Sequence, residues 1–352
     1  MTLSVLRRGR RNDDGGGGPA GRRRSFGRQA VAAVVAAATV LVLGASSSSA
    51  ADQYVEPLTG RAVFDPSFRH GTVAVDGGRL HYVTGGSGPV LVLLHGWPQT
   101  WWAWHDVMPA LARNHTVVAF DLPGLGDSSH FTDGYDKVTT AHRIRQAVRA
   151  LGHRQVSILA HDVGVLVAYP YAREFPAEVS RIAVLDSTLS GFGLEDAYTL
   201  SFHFLFNAAP APIPERILDN DDVSTYLGMI FDFSVNSDAI DRSVYYRYYR
   251  DPADRTAGYN YYRAYAGDAE NNQANAHRRL RMPVLAMGSA ATFGPAVAAS
   301  FRQVADDVRE VVAPDSGHFI PEENPRFLVS CVNLFTGVAA TPPSPELANC
   351  AA

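Results

Sequence analysis

Short, mostly apolar runs recur along this chain between helical patterns, and few folds can bury them. Residues 90–94 are wholly apolar, and 116–120, 156–160, 182–185, 284–287 and 309–312 repeat that signature more or less strictly. A strand that is apolar on both sides has to be covered on both sides, as in a parallel sheet. Helical patterns fall between and around the runs at 101–113, 137–151, 163–174 and 296–304, with another at 324–335 after the last. Such alternation with short links predicts a mainly parallel sheet with helices on both faces. A hairpin over 71–76 and 79–84, turning at Gly77-Gly78, precedes it.

One stretch breaks the rhythm. Residues 187–277 show no strand–helix alternation and are rich in aromatics, among them Tyr245, Tyr249, Tyr259, Tyr261, Tyr262 and Tyr265. An insertion between a strand and the next helix sits over the C-terminal edge of the sheet, where α/β proteins bind ligands. A mostly helical cap, or lid, is expected there, with most of its tyrosines filling its own interior. The core is then divided into 62–186 and 278–340, and 341–352 reads as a flexible tail.

The N-terminus reads as a targeting segment. Arg22-Arg23-Arg24-Ser25-Phe26 leads into an apolar run ending at Leu43, then small residues up to Ala50-Ala51. A basic region, a short apolar region and a small-residue cleavage site make a secretory signal over 1–51. Its Arg-Arg-Ser-Phe core resembles a twin-arginine signal. The apolar run is shorter than the roughly 20 residues a spanning helix needs, so a secreted protein with no membrane contact after cleavage is expected. The 352 residues carry a net charge of −4, and the N-terminal arginines leave the remainder more acidic still. That balance argues against a nucleic-acid partner. The two cysteines, Cys331 and Cys350, fit either a bridge stapling the tail to the last helix or two unpaired thiols. No Cys/His spacing suggests a metal.

The chemistry concentrates at Ala160-His161-Asp162-Val163-Gly164, between an apolar strand and an apolar helix. Small residues two before and two after the central position permit the sharp strand-to-helix turn that exposes a nucleophile. A carboxylate can serve as that nucleophile and form an ester. The alternative, an Asp that only caps the helix, is decided by its partners. His95-Gly96-Trp97-Pro98 follows the first buried strand, so the backbone N–H groups of Trp97 and Val163 are the expected oxyanion donors. His318, in a loop after the last strand, is the expected general base. Asp186, at the end of the strand before the lid, is the candidate for its acid partner, and gains weight because no acid lies between Met287 and Ala305, the alternative place. Pro170 falls inside the helix after the nucleophile and should kink it; nothing in the sequence accounts for it.

These motifs, together with Asp121-Leu122-Pro123-Gly124-Leu125-Gly126 and Gly317-His318-Phe319, make the chain from about residue 64 to 337 resemble the epoxide hydrolase and dehalogenase branch of the α/β-hydrolase superfamily. The resemblance implies an α/β-hydrolase fold with a mainly parallel eight-stranded sheet and a helical cap. It also implies an Asp162 nucleophile and a water activated by His318. Haloalkane dehalogenases carry Trp directly after the nucleophile, and fluoroacetate dehalogenases carry Arg there and again three positions later. Here those positions are Val163 and Leu166. The lid segment Asn260-Tyr261-Tyr262-Arg263-Ala264 matches that of epoxide hydrolases, which makes Tyr262 a donor to the epoxide oxygen. The second donor position is His203, a replacement that resembles the Cif-like bacterial epoxide hydrolases.

The resemblance therefore implies hydrolysis of a small apolar epoxide to a diol without cofactor or metal. The pocket would be lined by His161, Trp101, Phe202 and Phe204, and the association state is compatible with a homodimer. A hydrolytic dehalogenase is the second reading, and a binding protein that has lost turnover is the third.

Overall fold

The computed structural model describes residues 64–199, 201–342 and 344–351; the expected export signal lies outside them. Eight strands form one sheet: β1 (Arg69–Val75), β2 (Gly78–Gly86), β3 (Val90–Leu94), β4 (Thr116–Phe120), β5 (Val156–His161), β6 (Val179–Leu185), β7 (Val284–Ser289) and β8 (Val308–Ala313). Their order is β1-β2-β4-β3-β5-β6-β7-β8. The hairpin β1–β2 and the pair β2–β4 are antiparallel, and all other pairings are parallel.

Alternation within the apolar runs explains why both faces are covered. Val92 and Leu94 of β3 join one hydrophobic cluster, while Leu91 and Leu93 join the other. The helices Lys137–Ala150 and Val163–Glu174 lie in the first cluster, and Pro325–Phe335 lies in the second. The helix Val163–Glu174 runs unbroken through Pro170. No helix of the described residues is long and apolar enough to cross a membrane.

Two expectations need correction. The helix expected over 101–113 is a 3-10 turn, Trp101–Trp104, followed by a short helix, Met108–Leu111. Pro109 has no N–H to give to an earlier turn, so it opens the second helix and cannot continue the first. The tail is not loose. Cys331 and Cys350 are joined by a disulfide, and a 3-10 helix, Pro345–Cys350, buries Leu347 in the second cluster.

Between β6 and β7 the chain forms the lid, a series of helices from Leu194–Thr199 to Tyr265–Ala274. Buried polar contacts tie it to the core. Lys137 Nζ, at the start of its helix, donates to Asp268 Oδ2 at 2.8 Å and to the Tyr261 carbonyl at 2.7 Å. It also lies 4.5 Å from the centre of the Tyr265 ring. Tyr261 in turn donates its hydroxyl to the Pro123 carbonyl at 3.0 Å.

Removing one partner of a buried ion pair strands the other charge, which is costlier than replacing both by apolar groups. Asp268→Asn is expected to lower unfolding stability by about 3 kcal/mol. The double change Lys137→Met with Asp268→Leu should recover most of that loss. Urea unfolding of the three proteins tests this, and an Asp268→Asn variant as stable as wild type would show that the pair does not hold the lid.

Candidate active site

Asp162 sits in the turn between β5 and the helix Val163–Glu174, with φ +49°. That left-handed conformation is strained for a residue with a side chain, and close packing imposes it. A Cβ on Gly164 would come within 2.2 Å of the Leu94 carbonyl oxygen, and one on Gly96 within 2.5 Å of Asp162 Cβ. The turn therefore presses against the end of β3, which brings Trp97 over the carboxylate.

The Trp97 N–H donates to Asp162 Oδ1 at 2.8 Å, as expected of an oxyanion donor. Val163 is the first residue of the helix, so its N–H belongs to the helix's unbonded N-terminal set. Asp162 Oδ2 lies 3.6 Å from His318 Nε2. On the other side of the imidazole, Nδ1 donates to Asp186 Oδ2 at 2.8 Å. Asp186 is wholly buried and follows β6 with φ +48°. Its Oδ1 accepts the Ser289 N–H at 2.7 Å, and its Oδ2 also accepts the Thr292 hydroxyl. Asp162, His318 and Asp186, chosen from three distant parts of the sequence, thus meet at the C-terminal edge of the sheet.

Electrostatics bind the three together. Burial works against the Asp162 anion, but the approach of His318 and the Trp97 N–H outweigh it and bring the carboxyl to about 2. Burial likewise works against a charged His318, yet Asp162 and Asp186 on either side raise it to about 10. At neutral pH the resting arrangement is therefore an imidazolium between two carboxylates.

The lid supplies the remaining groups. His203 opens the helix His203–Asn207, and its ring stacks on Trp97 with centroids 5.7 Å apart. Tyr262, on the helix Pro252–Arg263, meets the same indole at 5.3 Å and His203 at 5.6 Å. Phe204 packs on Tyr262 at 5.6 Å. Burial lowers His203 to about 4 and pushes the Tyr262 phenol well above its usual value, so both are neutral near pH 7. Ser201 Oγ lies 2.5 Å from His203 Nδ1, which leaves Nε2 as the ring nitrogen available to a ligand.

Three residues expected to line the pocket lie elsewhere. Trp101 packs on Phe64 and His70 in the second cluster, because its N–H is anchored to Asp121 Oδ1 at 2.7 Å. Phe202 is 53% exposed, against Phe206 and Tyr226; it lies just before the helix on which His203 turns inward. His161 is fully buried and bonded through both ring nitrogens, one of them to the His318 carbonyl at 2.8 Å, so it stands behind the base. Sequence reasoning missed Ser289 and Thr292 around Asp186. It also missed Glu323, whose carboxylate accepts the Gly317, Phe319, Val235 and Asn236 N–H groups. The acidic pair Glu322-Glu323, just beyond Ile320-Pro321 after the Gly-His-Phe motif, was the available signal.

A family model described as the alpha/beta hydrolase fold matches residues 89–325. The chain is 34% identical over 270 residues to a soluble epoxide hydrolase of Corynebacterium sp. (strain C12), covering 74% of this chain and 94% of that protein. It is 32% identical over 226 residues to a fluoroacetate dehalogenase of Burkholderia sp., covering 60% of this chain and 74% of that protein. Among solved structures, the ligand-free epoxide hydrolase CorEH superposes with a TM-score of 0.71 at 32% identity, covering 77% of this chain and 100% of that one.

Replacing Asp162 by Asn removes one of the two anions facing His318. The midpoint of His318, followed by NMR, should then fall from about 10 by roughly one to three pH units. In wild type, a raised histidine pKa stabilises the fold fully below its ordinary 6.5 and loses that contribution as pH climbs through about 10. Asp162 contributes above its ordinary 3.8, and its share is lost as pH falls towards 2. Both dependences should weaken in Asp162→Asn. An unmoved His318 midpoint would mean that the two side chains are not coupled.

Proposed function

The chain belongs to the α/β-hydrolase fold family, and on that premise we propose that it hydrolyses epoxides to vicinal diols through an ester on Asp162. The observation that carries this reading is the pairing of two neutral lid donors, His203 and Tyr262, around Trp97, whose own N–H touches the nucleophile. An epoxide oxygen leaves as an alkoxide and needs a proton as the ring opens. The similarity to the Corynebacterium enzyme supports the same substrate class.

In the first step Oδ2 of Asp162, the oxygen not held by the Trp97 N–H, attacks an epoxide carbon. The ring C–O bond breaks, and the oxygen takes a proton from Tyr262 while His203 hydrogen-bonds it. A hydroxyl proton given by Ser201 to His203 Nδ1, its partner at 2.5 Å, would keep the proton of the neutral ring on Nε2, the nitrogen left for the substrate. The ester carbonyl oxygen is then Oδ1, already bound by the Trp97 N–H. Esterification also removes the Asp162 charge, so His318 gives up its extra proton, which restores the Tyr262 phenol by way of solvent, and becomes a base. It deprotonates water, which attacks the ester carbonyl. Trp97 and Val163 hold the oxyanion; its collapse expels the substrate alkoxide, which takes the proton of the new carboxyl group, releasing the diol and restoring the carboxylate.

The lining is aromatic, with Trp97, Phe204 and Tyr262 meeting face to edge, which suits a small apolar epoxide. Val163 and Leu166, at the positions where fluoroacetate dehalogenases carry arginine, are buried aliphatic residues and offer no clamp for a substrate carboxylate. Dehalogenation is the second reading, favoured by the Burkholderia relative.

Tyr262→Phe should slow pre-steady-state alkylation by an epoxide about 100-fold and by a matched halide much less, since halide needs no proton. His318→Gln should let the ester accumulate, visible by mass spectrometry as an adduct on Asp162. Halide release without diol from any epoxide in a panel would move the protein to the dehalogenases.

Export completes the reading. The arginine-rich start, the apolar run after it and the Cys331–Cys350 disulfide suit an oxidising compartment outside the cytoplasm. Changing Arg23 and Arg24 together to Lys should retain uncleaved protein in the cytoplasm of a host with twin-arginine export. Continued export and cleavage near Ala50 would show that the arginine pair is not read.

A further inference from the structure

Behind the base, a chain of buried polar side chains runs from the lid to the His318 backbone. His161 Nε2 is 2.8 Å from the His318 carbonyl oxygen, and its Nδ1 is 3.1 Å from the side-chain amide of Gln99, at the end placed as Oε1. The other end of that amide is 2.5 Å from Glu322 Oε2, and Glu322 Oε1 accepts the Tyr245 hydroxyl at 2.9 Å. His161, Gln99 and Tyr245 are completely buried, and Glu322 nearly so.

Only one assignment of protons satisfies every contact with neutral groups. A carbonyl oxygen can only accept, so His161 Nε2 carries a hydrogen. A neutral imidazole then has a bare Nδ1, which needs a donor, and Gln99 must turn its NH2 group towards it. The Gln99 carbonyl consequently faces Glu322, and two facing oxygens require a hydrogen between them. Glu322 must supply it as a carboxylic acid. The 2.5 Å separation lies at the short end of the O–H···O range and below that of N–H···O. The nitrogen and oxygen ends of a glutamine are fixed by such bonding arguments alone.

We propose that Glu322 is a neutral carboxylic acid that positions the catalytic base, acting through Gln99 and the Nε2–H tautomer of His161 to hold the His318 carbonyl. Burial pushes the Glu322 carboxyl well above its usual range and lowers His161 to about 4, in keeping with both charge states. A charged alternative exists on paper: an imidazolium at His161 donating through both nitrogens to Gln99 and His318, balanced by a Glu322 carboxylate. It would put a second positive centre beside an already charged His318, with centroids 4.7 Å apart.

The inference rests on the reading of His318 as the base that activates water, but its first test needs no substrate. Nitrogen-15 NMR of the full chain labelled at histidine should show His161 Nδ1 unprotonated and Nε2 protonated at pH 7. Both nitrogens protonated would overturn the proposal. The second test is the decay of the Asp162 ester formed with whichever epoxide or halide alkylates the enzyme. Glu322→Gln, whose amide can donate to Gln99 and accept from Tyr245, should keep ester decay within about twofold of wild type. Glu322→Leu and Gln99→Leu should slow it about tenfold while leaving alkylation unchanged, as a misplaced base would. A Glu322→Gln enzyme as slow as Glu322→Leu would overturn the neutral-acid assignment even if both fold. If no epoxide alkylates the protein but His161 shows the stated tautomer, the substrate reading falls and this one stands.

Discussion

Everything at the site depends on one close approach, that of the turn at Asp162 to the end of β3. Gly164 lies so near the Leu94 carbonyl oxygen that a Cβ there would sit at 2.2 Å. Neighbouring parallel strands bring these two segments together, since β3 pairs directly with β5. The left-handed backbone at Asp162 follows, and with it a carboxylate that faces the Trp97 N–H instead of folding back onto its own helix. Strain of this kind, of order 1–3 kcal/mol per residue, persists because the sheet on one side and the helix on the other leave the chain no alternative.

The second constraint is electrostatic. Asp186 is held by a backbone N–H and a hydroxyl at the end of β7, well away from solvent. A buried carboxylate needs such partners, and the imidazole of His318 completes the set. The base is consequently fixed in rotation by Asp186, and its charge is favoured by Asp186 and by Asp162. Only the share of Asp162 changes when the nucleophile is esterified. In the proposed mechanism one histidine therefore rests as a cation beside the nucleophile and acts as a base once the nucleophile is neutral, without moving.

The sheet was legible because burial on both faces leaves a mark that does not depend on context. The runs at 90–94 and 116–120 are β3 and β4 to the residue, and 163–174 is the helix after the nucleophile. Asp162, His318 and Asp186 were legible because each follows a strand, and strand ends converge on one edge. The pocket walls were not. Trp101 and Trp97 are four residues apart near one strand end, yet the Asp121 contact sends Trp101 to the opposite cluster. Sequence spacing also could not reveal that His161, adjacent to the nucleophile, would spend both nitrogens on support. Gln99 and Glu322 were invisible for the same reason: their meaning lies in a contact across 223 positions. The tail was misread because its polar, proline-rich composition outweighed the single Leu347 that anchors it beside the disulfide.

The same buried contacts bear on how the lid can work. Glu323 gathers the N–H groups of Val235 and Asn236 from the lid and of Gly317 and Phe319 from the base loop. The His318 N–H donates to the lid carbonyl of Phe233 at 3.0 Å, and a Cβ on Gly317 would come within 2.3 Å of that same oxygen. This part of the lid and the base loop are thus one body, and a hinge that lifted the first would carry the base away with it. Lys137 and Asp268 fasten the lid's far end in a comparable way. Substrates of different shape must then be accommodated between these anchors, by the helix His203–Asn207 and the side chains around Trp97. Phe202 and Leu205, 53% and 63% exposed, show how lightly that helix is held on its outer side. The bonds to the base loop named above come from residues 233–236 and not from the helix that presents His203, so selectivity can change there without disturbing the machinery proposed to hydrolyse the ester.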